Sequence, residues 1–290
     1  MANIYRSEAG RQIVEGLYRK ALQRWPVPSA HLVVPTRAGD TFVVASGDAH
    51  ASPLVLFHGS GANSAAWIRD VAEWSRQFRV YAVDMIGEPG LSVAARPSFE
   101  SDEYAAWLDD VWKGLGLTAA SVVGVSLGGW LALDYAIRRP HRVASLSLLS
   151  PTGIGSRNAG FMIKAGLLSL LGVQGLRKSV KLVAGRDDIP PPLIVDMTTV
   201  FRHFRPRWER LPIRTDGELA ALATAVQVIV GGKDVMIRSN ETRDRMRRLV
   251  PNLQLTYLED EGHLLPRQTA AISAFVNAAA GSTAREAVPA

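Results

Sequence analysis

The chain contains no cysteine. That excludes a disulfide framework, a thiolate metal site and a cysteine nucleophile, and it fits a reducing compartment such as the cytoplasm. Long hydrophobic runs are missing as well. The most apolar helical stretch, Phe161 to Val173, carries Lys164 and falls short of the about 20 residues that a membrane-spanning helix needs. The opening MANIYRSEAGRQIVEG has scattered charges and no apolar stretch, so no secretory signal is expected. Internal repeats and low-complexity tracts are absent. Acidic residues are the minority: Lys and Arg number 33 against 27 Asp and Glu, for a net charge of +6. Most of the basic residues are scattered. The one cluster, Arg202, Arg205, Arg207, Arg210 and Arg214 with His203, Phe204 and Trp208, reads as a solvated face before it reads as a site for a substrate carboxylate. No nucleic-acid motif accompanies it, and no nucleic-acid partner is expected.

What is present is an ordinary globular composition, 47% hydrophobic and 21% charged over 290 residues. A chain of that size buries a full core without staples. Residues 8–24 place Ile13, Leu17, Ala21 and Leu22 at helical spacing. Two short runs, His31–Pro35 and Thr41–Ala45, flank Arg37-Ala38-Gly39-Asp40 and read as a β-hairpin. From Pro53 onward, continuous apolar runs alternate with helical patterns. The strands are Pro53–Phe57, Arg79–Val83, Ala120–Val125, Val143–Leu149, Val226–Val230 and Leu253–Leu258, with helices near 64–77, 101–115, 128–139, 239–250 and 267–279. Runs that are apolar on both faces belong to strands covered on both sides, and the repetition predicts an α/β, mostly parallel, doubly wound sheet. Between Thr152 and Leu222 the alternation stops. Too long for a plain loop, this segment reads as a helical cap inserted after the sixth strand, over the carboxyl ends of the strands. The core is then 1–151 and 223–290, the cap 152–222. Gly281 to Ala290 reads as a frayed tail.

Gly124-Val125-Ser126-Leu127-Gly128 fits G-x-S-x-G, between the apolar run Ser121-Val122-Val123 and the helical pattern from Trp130. Strand, sharp turn, helix is the setting in which that motif exposes a serine hydroxyl as a nucleophile. Gly124 and Gly128 let strand and helix approach closely. The Leu127 amide, at a helix N-terminus, is aimed at a developing oxyanion.

With His58-Gly59-Ser60-Gly61, VDMIGEPG at 83–90, GVSLGG at 124–129, GGKD at 231–234 and GH at 262–263, the chain resembles the α/β-hydrolase superfamily over roughly residues 30–280, and within it the bacterial serine carboxylesterases. The resemblance implies that fold and a serine, acid, histidine order along the chain. Of six histidines, His31, His50, His58, His141, His203 and His263, only His263 follows a late acid candidate. It lies just beyond the last strand. The acid is expected in the loop after the penultimate strand, where Asp234 ends Gly231-Gly232-Lys233-Asp234; its plainer reading is a turn cap. The loop Ser150-Pro151-Thr152-Gly153 carries no carboxylate. Carry-over of the HG motif puts the second oxyanion amide on Ser60, with His58 structural. A phosphate-binding reading of these glycines fails for want of G-K-[ST] or a full G-x-G-x-x-G.

The expected activity is hydrolysis of a small carboxylic ester, or a related acyl substrate, through an acyl-enzyme on Ser126, with no metal or organic cofactor. Relatives with aspartate at the elbow, such as haloalkane dehalogenases and epoxide hydrolases, are set aside by Ser126. Two alternatives share the fold: a C–C bond hydrolase of ring-cleavage products with the same triad, and a catalytically weak ligand-binding member. The apolar residues Phe161, Met162, Leu167, Leu168, Leu170 and Leu171 read first as packing of the cap and second as a wall for an acyl group.

Overall fold

Eight strands form one sheet in a computed structural model that describes residues 4–186, 188–207 and 209–286. They are β1 (Ser29–Val34), β2 (Thr41–Ser46), β3 (Pro53–Phe57), β4 (Arg79–Val83), β5 (Ala120–Val125), β6 (Val143–Leu149), β7 (Ala225–Gly231) and β8 (Leu253–Leu258). Their order is β1-β2-β4-β3-β5-β6-β7-β8. The β1/β2 hairpin and the β2/β4 pair are antiparallel and every other pairing is parallel. The chain moves outward from β3 to β4, then crosses back to lay β5 on the other side of β3. Carboxyl ends of strands on either side of such a reversal frame a crevice where ligands bind in open α/β sheets.

Ten helices accompany the strands among the described residues: α1 (Glu8–Leu22), α2 (Val71–Trp74), α3 (Glu103–Gly114), α4 (Leu127–Arg138), α5 (Ala159–Ser169), α6 (Gly172–Ala184), α7 (Pro191–His203), α8 (Asp216–Ala220), α9 (Ser239–Leu249) and α10 (Thr269–Glu286). Strand side chains alternate between two apolar layers. Val55, Phe57, Tyr81 and Val83 join Trp107, Trp112, Leu131 and Tyr135 of α3 and α4. Leu54, Leu56, Val80 and Ala82 join Tyr18 and Leu22 of α1, Trp74 of α2, and Ile272 and Phe275 of α10. Because successive side chains point to opposite faces, a strand covered twice must be buried at every position, which is the pattern of 54–57 and 80–83 once the half-exposed Pro53 and Arg79 at the strand starts are passed. Each such buried side chain contributes about 1.5–3 kcal/mol relative to exposure.

Several boundaries differ from the sequence reading. The helix expected over 64–77 is a 3-10 turn at Ser64–Trp67 followed by the single-turn α2. The apolar stretch 161–173 is no single helix: α5 stops at Ser169, and Gly172, at φ +55°, opens α6 in a new direction. A left-handed residue ends a helix, and glycine takes it without penalty. The triple proline marks the start of α7. Pro190 is its cap and proline occupies the first helical positions, where a missing N–H costs nothing. The expected frayed tail is helical as far as Glu286. The sequence there is alanine-rich, and alanine favours helix. Residues 287–290 lie outside the described residues.

Arg214, just before α8, is tied back to α4. Its guanidinium meets Asp134 Oδ1 at 2.5 Å, the two side chains being 5% and 1% exposed, and it lies 5.1 Å from the Trp130 ring centre. Arg138 Nε donates to the same carboxylate oxygen at 2.9 Å. Removing one partner of a buried pair leaves the other charge uncompensated, so Asp134→Ala is expected to cost about 3–5 kcal/mol of unfolding free energy in urea titration. A loss below about 1 kcal/mol, the range of exposed pairs, would show that this pair does not anchor the segment.

Candidate active site

Ser126 stands between β5 and α4 with φ 54° and ψ −111°. This is a region a side chain enters only when its surroundings hold it there, at about 1–3 kcal/mol of strain. The surroundings are explicit. The Ser126 amide donates to Leu149 O at 2.9 Å, and Ser126 O accepts from Trp130 N and Thr152 Oγ1. Gly128 explains the tightness of the turn, since a Cβ there would collide with the Phe57 carbonyl oxygen. A serine at a helix N-cap usually bonds its own helix. Here the side chain makes no cap bond, and its Oγ faces His263 Nε2 at 2.9 Å instead.

His263 Nδ1 lies 2.6 Å from Asp234 Oδ2, and the two side chains are 4% and 0% exposed. A carboxylate only accepts, so Nδ1 carries the proton and Nε2 is left to accept from the serine hydroxyl. Both oxygens of Asp234 are engaged: Oδ1 accepts from the amides of Met236 (2.7 Å) and Ile237 (3.1 Å). The acid therefore also caps its own turn; its plainer sequence reading and its contact with the base hold together. The imidazole is fixed through its backbone as well. His263 N donates to Val183 O of α6 at 3.0 Å, and His263 O accepts from Ser150 Oγ at 3.0 Å.

Across the crevice, His58 is fully buried. Its Nε2 accepts from Met85 N at 3.0 Å and its Nδ1 donates to Gly59 O at 2.8 Å. With both ring nitrogens occupied, it bridges the loops after β3 and β4, and burial holds its pKa below the usual histidine value. Asp84 does the same work one turn on, accepting from Tyr18 Oη, from Ser64 N and Oγ, and from Leu91 N. Neither the Ser60 nor the Leu127 amide bonds to another group among the described residues. Gly59 packs beside the elbow; a Cβ on it would stand 3.7 Å from Ser126 Cβ.

Ser126, Asp234 and His263 thus converge at the carboxyl ends of β5, β7 and β8, with Leu127 next to the serine and Ser60 in the turn after β3. Ser150 and Thr152 were not singled out. Ser150 sits at φ +42° and is buried. The usable signal was its place at the carboxyl end of β6, beside the elbow strand. The segment between β6 and β7 also reaches these loops. Phe201 of α7 packs on Gly61, and Gly185, just after α6, packs on Gly262. Of the clustered arginines, Arg202 and Arg210 are exposed, as a solvated face requires. Arg214 and Arg207 are not: the Arg207 side chain is 7% exposed, bonds Tyr104 Oη at 2.9 Å and lies over the Phe99 ring at 3.9 Å. Trp208 lies outside the described residues. Among those described, no group of three or more His, Asp or Glu is placed to hold a metal ion.

Comparison with known proteins finds similar sequences and similar folds. The family model of the alpha/beta hydrolase family matches residues 54–278. Carboxylesterase YbfK of Bacillus subtilis (strain 168) is 32% identical over 256 residues, 86% of this chain and 86% of that protein. The crystal structure of carboxylesterase CesB (YbfK) from Bacillus subtilis superposes with a TM-score of 0.81 at 30% identity, covering 94% of this chain and 98% of that one. The crystal structure of naproxen esterase (carboxylesterase NP) from Bacillus subtilis superposes with a TM-score of 0.80 at 26% identity, covering 98% and 99%.

Proposed function

This chain belongs to the alpha/beta hydrolase family, and from that membership we propose that it hydrolyses small carboxylic esters through an acyl-enzyme on Ser126. One observation carries the reading: the His263 ring joins the Asp234 carboxylate to the Ser126 hydroxyl, at 2.6 Å on one side and 2.9 Å on the other. The proton leaves Ser126 Oγ for His263 Nε2 as Oγ attacks the ester carbonyl. Asp234 keeps the imidazole in the accepting tautomer and stabilises the imidazolium. The tetrahedral oxyanion lies between the Ser60 and Leu127 amides. His263 returns the proton to the departing alcohol, and water then attacks the acyl-enzyme by the same route.

In this reading residues 1–151 and 223–290 are the catalytic core and 152–222 the cap. The support is contact: the segment touches the elbow through Thr152, the oxyanion loop through Phe201 and the histidine loop through Val183 and Gly185. The cap's exposed Ile163, Leu167, Leu170 and Leu171 suit an apolar acyl group. No helix among the described residues is long and apolar enough to cross a membrane.

The test is a panel of p-nitrophenyl esters of increasing acyl length, run beside fluorophosphonate labelling. The expected outcome is a pre-steady-state burst of nitrophenol and one phosphonyl group per chain on the peptide bearing Ser126. Ester turnover should exceed that of a ring-cleavage C–C substrate. A chain that binds the esters without hydrolysing them and resists the probe would be a ligand-binding member of the fold instead.

A further inference from the structure

We propose that Glu88 is a positioning residue, holding the Ser60 amide in its oxyanion-binding orientation by clamping the peptide between Ser60 and Gly61. The inference rests on the esterase reading and adds to it a residue outside the triad and the oxyanion hole.

The Glu88 side chain is buried, yet both of its hydrogen bonds go to the glycine turn after β3. Its Oε2 accepts from Gly61 N at 2.7 Å and from Ser60 Oγ at 3.3 Å. Two arginines stand near but are committed elsewhere. Arg96 donates to the carbonyls of Gly87 and Arg205, and Arg207 to Glu209 and Tyr104. A buried carboxyl without an ion-pair partner is costly where an apolar side chain would be cheaper. Burial accordingly pushes the Glu88 carboxyl up to about 7. A neutral carboxyl retains a carbonyl oxygen, so the acceptor facing Gly61 persists through that titration.

The geometry explains why an acceptor matters there. A peptide is planar and trans, so fixing its carbonyl fixes the direction of its N–H. Gly59 O is held by His58 Nδ1 and Ala62 N, which points the Ser60 N–H the opposite way. That first peptide can still rock about the Ser60 N–Cα bond, its Ala62 contact being 3.3 Å long, unless the second peptide of Ser60 is held too, and Glu88 holds the second through Gly61 N at 2.7 Å. Gly61, at φ +73°, is pressed by Phe201 and offers no stiffness of its own. Glu88 can act as an anvil because its own turn is rigid: its amide bonds Met85 O, its carbonyl accepts from Gly90 N, and Pro89 follows.

The experiment compares Glu88→Gln, which keeps an acceptor at this length, with Glu88→Met, which keeps the length and removes it. Losing an oxyanion donor outright costs about 10²–10³ in kcat, so loosening one is expected to cost Glu88→Met about 10–100-fold in kcat, with KM within about threefold. Glu88→Gln is expected to stay within about threefold of the parent in both constants, since an amide oxygen accepts the same bond. Should Glu88→Met fail to fold, judged by its circular dichroism melt, Glu88→Ala takes its place in the comparison. Parental kcat in the acceptor-free variant, equal losses in Glu88→Gln and Glu88→Met, or a loss confined to KM would each overturn the proposal. A Ser126→Ala control separates the premises: a control that still turns over ester sinks the esterase reading, whereas an inert control beside an unaffected Glu88→Met sinks only the role of Glu88.

Discussion

Replacing Ser126 by Ala is expected to lower kcat for p-nitrophenyl esters by about 10⁵–10⁶-fold and to abolish fluorophosphonate labelling, while the melting temperature stays near that of the parent. The size of the effect follows from the lack of a substitute. A serine hydroxyl is a weak nucleophile unless a base stands in reach, and two other serines described near Ser126 are engaged otherwise. Ser60 Oγ donates toward Glu88, and Ser150 Oγ donates to the carbonyl of His263, not to its ring. Stability should hold because the elbow is fixed through its backbone, by Leu149 O below and by Trp130 N and Thr152 Oγ1 above. The side chain makes no cap bond whose loss would loosen α4. Labelling of the Ala variant at the parental rate would show that the nucleophile lies elsewhere.

Asp234→Asn should lower kcat by about 10⁴-fold with little change in KM or stability. The reason lies in which atoms the carboxylate serves. The asparagine oxygen can take the position that accepts from Met236 and Ile237, so the turn survives. Its amide nitrogen then faces His263 Nδ1. A donor there stabilises the tautomer with the proton on Nε2, which points a hydrogen at Ser126 Oγ and cannot receive one. Geometry is kept and the proton acceptor is lost. A kcat within tenfold of the parent would show that the imidazole keeps its tautomer without help from Asp234.

Sheet and crevice were legible in the sequence because both rest on local chemistry. A parallel strand covered on two faces must be apolar throughout, so β3 to β7 announce themselves. Ser126 and Asp234 each follow such a run within a few residues, His263 follows the half-buried edge strand β8, and strand ends of a parallel sheet all lie on one edge. The inserted segment obeys no such rule. Its breaks depend on single residues, Gly172 turning left-handed and Pro191 opening α7, and its anchoring on a pair 80 residues apart in sequence, Asp134 with Arg214. Arg207 and Arg214 looked like members of a solvated run because composition does not record which carboxylate or ring a guanidinium meets. Glu88 and Ser150 were hidden differently. Each acts on backbone, the amide of Gly61 or the carbonyl of His263, and contacts made to backbone leave no pattern of paired side chains.

The bond from the His263 amide to the carbonyl of Val183 has a mechanical corollary. The base hangs from the last turn of α6, so lifting that end of the helix would pull the imidazole off the nucleophile. The other end of α6, beside which Leu170 and Leu171 face solvent, carries no such bond to the loop of His263 among the described residues.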